Sequence, residues 1–172
     1  MPKFDESVIN FAVYEDSVEY AGMAKVSLPD LTALTQSVSG AGIAGNIDAV
    51  ILGHFDAMTL VLNFRTTTEQ AVRLSEPRRH TIDIRVAQQI EDTVAGTLRV
   101  QPVKHLFVVI PKKDAGGSIA PASPTDGSGE YAVHYWATYI DGVKKREIDP
   151  LNFICFVDGV DYLADVRKAI GK

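Results

Sequence analysis

Cysteine is almost absent. Cys155 is the one thiol in 172 residues, which excludes an intrachain disulfide and a cysteine metal cluster. Its neighbours Phe153, Ile154, Phe156 and Val157 are apolar, so a small buried core residue is expected there, not a reactive thiol. Long apolar runs are missing as well. The cleanest, AVIL at 49–52 and LFVVI at 106–110, fall far short of a membrane span. The opening MPKFDESVIN carries acids and no apolar stretch of signal-peptide length. A soluble chain with no membrane partner, folded in a reducing cytoplasm, is the expectation. Basic charge is scarce too: 17 Lys and Arg stand against 22 Asp and Glu, for a net charge of -5. A surface that grips phosphates needs the opposite balance, whereas one that lets nucleic acid pass without holding it does not.

Recurring chemical patterns are also lacking. His54, His80, His105 and His134 share no short metal-ligand spacing, and no serine lies in G-x-S-x-G. The many acids show no spacing that singles out an acid–base pair. The clusters EPRRH, Lys112-Lys113 and Lys144-Lys145 are read as solvated turns, and Tyr135, Trp136 and Tyr139 as packing residues. No catalytic residue, metal site or cofactor is assigned.

One pattern does stand out. Gly40-Ala41-Gly42-Ile43-Ala44-Gly45 fits G-x-G-x-x-G, the fingerprint of a dinucleotide-binding oxidoreductase. That fingerprint needs a buried strand before the glycines and a helix after them, whose N-terminal N–H groups meet the pyrophosphate. Here LTALTQSVS precedes, NIDAVILGHF follows as an extended β-branched run, and no acid stands between Asp56 and Glu69. The glycines are better explained as a bending loop. Yet Val38, Ile43, Ile47, Val50, Ile51 and Leu52 surround them, more aliphatic surface than a solvated loop holds. Together with Gly40, Gly42 and Gly45 they are the candidate inter-subunit contact residues, on a flexible stretch expected to be buried against another subunit.

What is abundant is alternation. Met58, Leu60, Leu62 and Phe64 share one face of a strand, as do Ile82, Ile84 and Val86. VKHLFVVI is apolar on both faces, so a strand covered on both sides is expected. Asp141-Gly142 marks a hairpin turn, LNFICFV a further strand, and INFAVY with YAGMAKVSL a pair joined at Glu15-Asp16-Ser17. Thr66 with Glu69 predicts a capping box for a short helix ending before Pro77. Asp161 predicts the cap of a C-terminal helix with a Leu163, Val166, Ile170 stripe ended by Gly171. Residues 112–129, rich in Gly, Ala, Ser and Pro, predict a mobile loop within a single domain spanning 1–172. The class is mainly β with two appended helices.

Two blocks carry a family resemblance. In YAGMAKVSLPDLTALTQSVSGAGIAG the matching positions are Tyr20, Gly22, Ala24, Leu28-Pro29, Leu31, Gly40-Ala41-Gly42 and Gly45. In TYIDGVKKREIDPLNFICFVDGVDYLADVRKAIG they are Asp141-Gly142, Glu147-Ile148-Asp149, Asn152, Val157, Gly159-Val160-Asp161, Leu163, Arg167 and Ile170-Gly171. The chain is similar to the major tail tube protein of contractile-tailed, myovirus-type phages, a family also used by phage-tail-like bacteriocins. The middle, about 66–128, matches by layout more than by residues.

The resemblance implies a β-sandwich or half-barrel subunit completing a β-barrel in a hexameric ring, with a long hairpin arm, about 31–55, that reaches neighbouring subunits. Stacked rings form a virion tail tube, assembled in the host cytoplasm. Implied partners are other copies of the chain, the sheath protein, the baseplate or tail initiator, the tape measure protein, and DNA passing through the lumen without sequence recognition. The inner tube of a bacteriocin or injection machine without a genome remains the alternative. Such a ring would carry roughly -30 in charge, and any part facing the lumen would repel phosphates within about 8 Å of the wall.

Overall fold

Alternating apolar residues become strands here because each strand buries one face on a shared core. The computed structural model describes residues 3–20 and 22–172. Met1 and Pro2 of the opening stretch, and Ala21 within the predicted YAGMAKVSL strand, lie outside the described residues. The order is β1 (Lys3–Glu15), β2 (Val18–Glu19), β3 (Met23–Ser27), β4 (Ala33–Val38), β5 (Ile47–Phe55), β6 (Met58–Phe64), α1 (Glu69–Arg73), β7 (His80–Asp92), β8 (Thr97–Ala115), β9 (Gly127–Ile140), β10 (Val143–Asp149), β11 (Ile154–Val157), β12 (Val160–Asp161) and α2 (Ala164–Ala169). The protein is mainly β with two short helices, as expected.

Ten strands form one antiparallel sheet, and β4 with β5 forms a separate hairpin. The large sheet runs β12-β11-β10-β9-β8-β7-β1-β2 and forks at β9. One edge of β9 pairs with β8 along most of its length. The other edge pairs with β6 at 127–133 and with β10 at 136–140. β3 then adds to β6. The fork curls the sheet, so that Leu60 and Leu62 from β6 meet Val13, Ile82, Ile84, Phe107 and Val109 in one core cluster. Trp136 stacks on Phe107 inside it, with ring centroids 5.4 Å apart.

Local sequence explains the turns. Asp16 and Ser17, at φ 49° and 67°, make the two-residue link between β1 and β2. Asp141-Gly142, at φ 51° and 78°, does the same for β9 and β10. Both are the primed turns that match strand twist.

Several expectations shift at the boundaries. β2 leaves β1 after pairing at Val18 and Glu19, and the chain crosses over so that β3 pairs with β6 instead of β1. The helix N-cap is Thr68, whose Oγ1 accepts from Ala71 N at 3.2 Å, and not Thr66. Asp161 stands before α2 and accepts from Leu163 N at 3.1 Å, closing a turn and leaving the helix itself uncapped by a side chain. Leu163 of the predicted stripe is buried, while Ile170 is exposed. In LNFICFV the strand begins only at Ile154. β8 buries Val103, His105, Phe107 and Val109, but Leu106, Val108 and Ile110 are only half-buried, so its second face is not fully covered. The predicted mobile loop is shorter than 112–129. Strands continue to Ala115 and resume at Gly127, and Thr125 N donates to Arg65 O at 2.9 Å.

Candidate assembly surface

The arm is the first candidate surface. Among the described residues, β4 and β5 pair with each other and with no other strand. Val38 pairs with Ile47, and Thr35 with Val50. The hairpin therefore brings together all nine predicted contact residues. Gly40, Gly42 and Gly45 lie in the tip, and Ile43, Ile47, Val50, Ile51 and Leu52 are exposed. Val38 is half-buried. Leu34, also exposed, belongs to the same surface, although sequence reasoning did not nominate it. After Gly45 the chain enters strand β5, so no helix N-terminus faces the glycines.

The arm is bent at its root. Between its paired positions, β4 has one residue, Leu34, while β5 has 51–54. This bulge contains Gly53 at φ +64°, and it turns Ile51 and Leu52 outward. A Cβ on Gly53 would lie 2.6 Å from Leu163 Cδ2. The seat beneath is built by the second resemblance block. Asp149 Oδ1 accepts from Leu151 N and Asn152 N, and Asp149 Oδ2 from Asn152 Nδ2 at 2.7 Å. Arg167 donates to Phe153 O and to Asp161 Oδ2, each at 2.6 Å. These bonds hold Phe153 and Leu163 where Gly53 and Phe55 rest, around a cavity of about 80 Å³.

A second surface was not foreseen. β1, β7 and β8 extend beyond the end of β9 as a three-stranded ribbon. Phe4 and Leu98 both stand opposite Glu91, and Val100 follows on the same face. All three are more than half exposed. The face continues into a groove of about 820 Å³ lined by Ala12, Ala87, Val100, Pro102 and Tyr139. Backbone groups on the outer side of β1 over residues 3–12 have no strand partner among the described residues, and Val13 O accepts from Tyr20 N at 2.7 Å. Alternation alone foretells such a half-apolar strand, but cannot say whether the same chain covers it.

Charges on this outer face are matched both along and across strands. Asp83 pairs with Arg85 at 3.0 Å and with Lys104 at 3.5 Å. Arg85 sits over Tyr14, and Lys104 over Tyr139. Glu147 accepts from Tyr135 and Lys144, each at 2.8 Å. Tyr135 and Tyr139 therefore face away from the core, while Trp136 enters it. The basic clusters are likewise engaged: Lys112 donates to Thr59 Oγ1 from within β8, and Lys145 pairs with Asp158.

EPRRH departs furthest from a solvated turn. His80 is fully buried and Glu15 nearly so. His80 Nδ1 bonds Glu15, Tyr20 donates to Glu15, and Arg78 reaches Glu15 Oε1 at 3.3 Å. His80 Nε2 bonds Glu76 O at 3.0 Å. Burial alone would push the Glu15 carboxyl up. The hydrogen bonds from Tyr20 and His80, with the charges of His80 and Arg78, outweigh burial and hold the carboxyl below the ordinary carboxylate range. This cluster ties the β1–β2 turn to the start of β7. Tyr20, one of the resemblance positions, is thus a structural anchor.

His105 accepts from Trp136 Nε1 at 3.3 Å and lies 3.1 Å from Thr138 Oγ1. Burial, helped by the charge of Arg146, pulls its pKa down to about 4. Cys155 is buried, as expected, and burial raises its thiol pKa. Among the described residues, no cluster of His, Cys, Asp and Glu could hold a metal ion. No described helix is long and apolar enough to cross a membrane.

Comparison with known proteins gives three findings. The family described as Phage tail tube protein FII matches residues 5–171. No curated protein matches in sequence. Among solved structures, the chain resembles the PVC sheath/tube terminator of an extracellular contractile injection system in its extended state. The TM-score is 0.53 at 14% identity, covering 76% of this chain and 94% of that one. It also resembles a chain of the sheath-tube complex of the same kind of system, with TM-score 0.52 at 14% identity, covering 75% and 87%.

Proposed function

Because this chain belongs to the phage tail tube protein FII family, a family of structural tail components, we propose that six copies close into a ring and that rings stack into the inner tube of a contractile phage tail. The observation that carries the reading is the family match across residues 5–171. The exposed surfaces support it. The outer edge of β1 offers unpaired N–H and C=O groups, and an open edge is satisfied by pairing with another chain. Cyclic repetition removes such edges and completes a barrel, while a head-to-tail contact that does not close yields a tube. Val38, Gly40, Gly42, Ile43, Gly45, Ile47, Val50, Ile51 and Leu52 are the arm's contacts with neighbouring copies. Sheath, initiator and tape measure protein are its other partners, and DNA slides through the lumen without sequence recognition.

Electron microscopy of the concentrated chain, alone and with its tail initiator, tests this. Stacked six-membered rings are expected. A chain that stays monomeric under both conditions refutes the reading. An injection machine without a genome uses the same contacts. Purified particles separate the two, since a phage tail leads to a DNA-filled head and the other does not.

A further inference from the structure

Arg146 is an unmatched cation. It lies on β10, opposite Thr138 of β9 and Val157 of β11. Its guanidinium carbon is 4.0 Å from the centre of the Trp136 ring. Its Nε is buried and has no hydrogen-bond partner. Arg78, Arg85, Arg99 and Arg167 each reach a carboxylate, but Arg146 forms no ion pair among the described residues. Its titratable neighbour is His105, which is neutral near pH 7. Burial lowers the basicity of Arg146, and no carboxylate charge offsets that. Arg146 is half-buried, and a partly desolvated charge without a counter-ion carries a cost that a carboxylate from a partner would offset.

The arm carries the complementary fault. Between Leu31 and Phe55 its one carboxylate is Asp48, and it has no Lys or Arg. Asp48 is exposed and makes no ion pair among the described residues. An arm that buries its aliphatic face must bring this carboxylate to the interface with it. Its own Arg146 is out of reach. Phe55 rests by Ile148, two residues from Arg146 on the same face of β10. Asp48 pairs with Ser37, four residues along β4 from Ala33, which faces Phe55, so it stands about 13 Å further out at the usual strand rise.

We propose that Arg146 receives the arm of a neighbouring copy by pairing with that copy's Asp48. The inference rests on the tube reading above and names one contact within it. The contact is heterologous, each chain giving an arm and receiving one, so it propagates from copy to copy. Each charge offsets the desolvation of the other, and each acts against partners that lack its complement.

The test is a charge-exchange series on the full chain, read by sedimentation and microscopy of the polymer and by thermal unfolding of the free subunit. Arg146→Met keeps the bulk over Trp136 and removes the charge. It should cut polymer yield about tenfold or more, while the subunit's Tm holds or rises. Asp48→Asn should cut yield similarly with Tm unchanged. Asp48→Arg combined with Arg146→Asp should regain yield to within about threefold of the unaltered chain. If Arg146→Met polymerises normally, or its Tm falls along with its yield, Arg146 is only a packing residue and the inference is overturned. A double exchange no better than the single variants overturns it too. An unaltered chain that forms no rings removes the tube reading and this contact together, whereas normal tubes from Arg146→Met remove this contact alone.

Discussion

Glu15 and His80 illustrate what a residue far apart in sequence can do for a sheet. The pair is buried and shared with Tyr20 and Arg78, so removing Glu15 leaves three side chains without their common acceptor. Glu15→Ala should destabilise the subunit by about 3–5 kcal/mol, measured by urea unfolding. A loss under about 1 kcal/mol would mean the cluster is replaceable by water. His105 sets a different dependence. The folded chain keeps it neutral down to about pH 4, while the unfolded chain takes a proton near the ordinary value of 6.5. Between those values the unfolded state binds more protons, so stability falls as pH falls, by about 1.4 kcal/mol per unit and roughly 3 kcal/mol in all. Glu15 acts lower. Its folded carboxyl titrates below the ordinary range, so its stabilisation is present above that range and is lost as pH falls through the folded value. His105→Gln should flatten unfolding free energy against pH between about 4 and 6.5 while leaving the more acidic loss in place; an unchanged slope would assign the dependence elsewhere. None of this was legible in the sequence. His80 sat in EPRRH as a surface turn because its partner Glu15 lies 65 residues away, and local pattern carries no trace of that distance.

Single elements were read more fully. Period-two alternation identified β6 and β7, and Asp141-Gly142 identified the β9–β10 turn, because these signals are local. The arm was legible as an aliphatic, glycine-interrupted stretch that no solvated loop would carry. What escaped was Gly53, whose need for a positive φ arises from the bulge and from Leu163 beneath it. Gly53→Ala forces a side chain into the left-handed region and against a buried leucine. A cost of about 1–3 kcal/mol is expected by thermal or urea unfolding, with a larger relative loss of polymer because the arm's direction changes. Equal loss of both, or of neither, would mean that the root does not aim the arm. The crossover that pairs β3 with β6 also escaped, since a strand's pattern shows which face it buries and not which neighbour it joins. The Thr68 cap differs from the expected Thr66 because three threonines in a row offer the same side-chain oxygen.

The whole molecule presents two apolar surfaces on opposite duties, a projecting arm and a ribbon with an open edge. Alanine at Ile43 and Ile51 should impair assembly far more than folding. Both side chains are exposed in the subunit, so each should change its unfolding free energy by no more than about 0.5 kcal/mol. Sedimentation of the polymer beside urea unfolding of the subunit checks this, and normal assembly by the double variant would remove the arm from the interface. The ribbon was not singled out from sequence, since a half-apolar strand reads the same whether its cover comes from within or from another copy. The edge of β1 is not straight, however. Its register with β7 shifts between Asp5 and Ser7 and again between Val8 and Asn10. Two such kinked margins laid side by side fall out of step after a few residues, so fibrils of identical edges are disfavoured. On the proposed tube reading, free chains are then expected to polymerise only after a lag that a shaped seed abolishes, which turbidity with and without the seed would check.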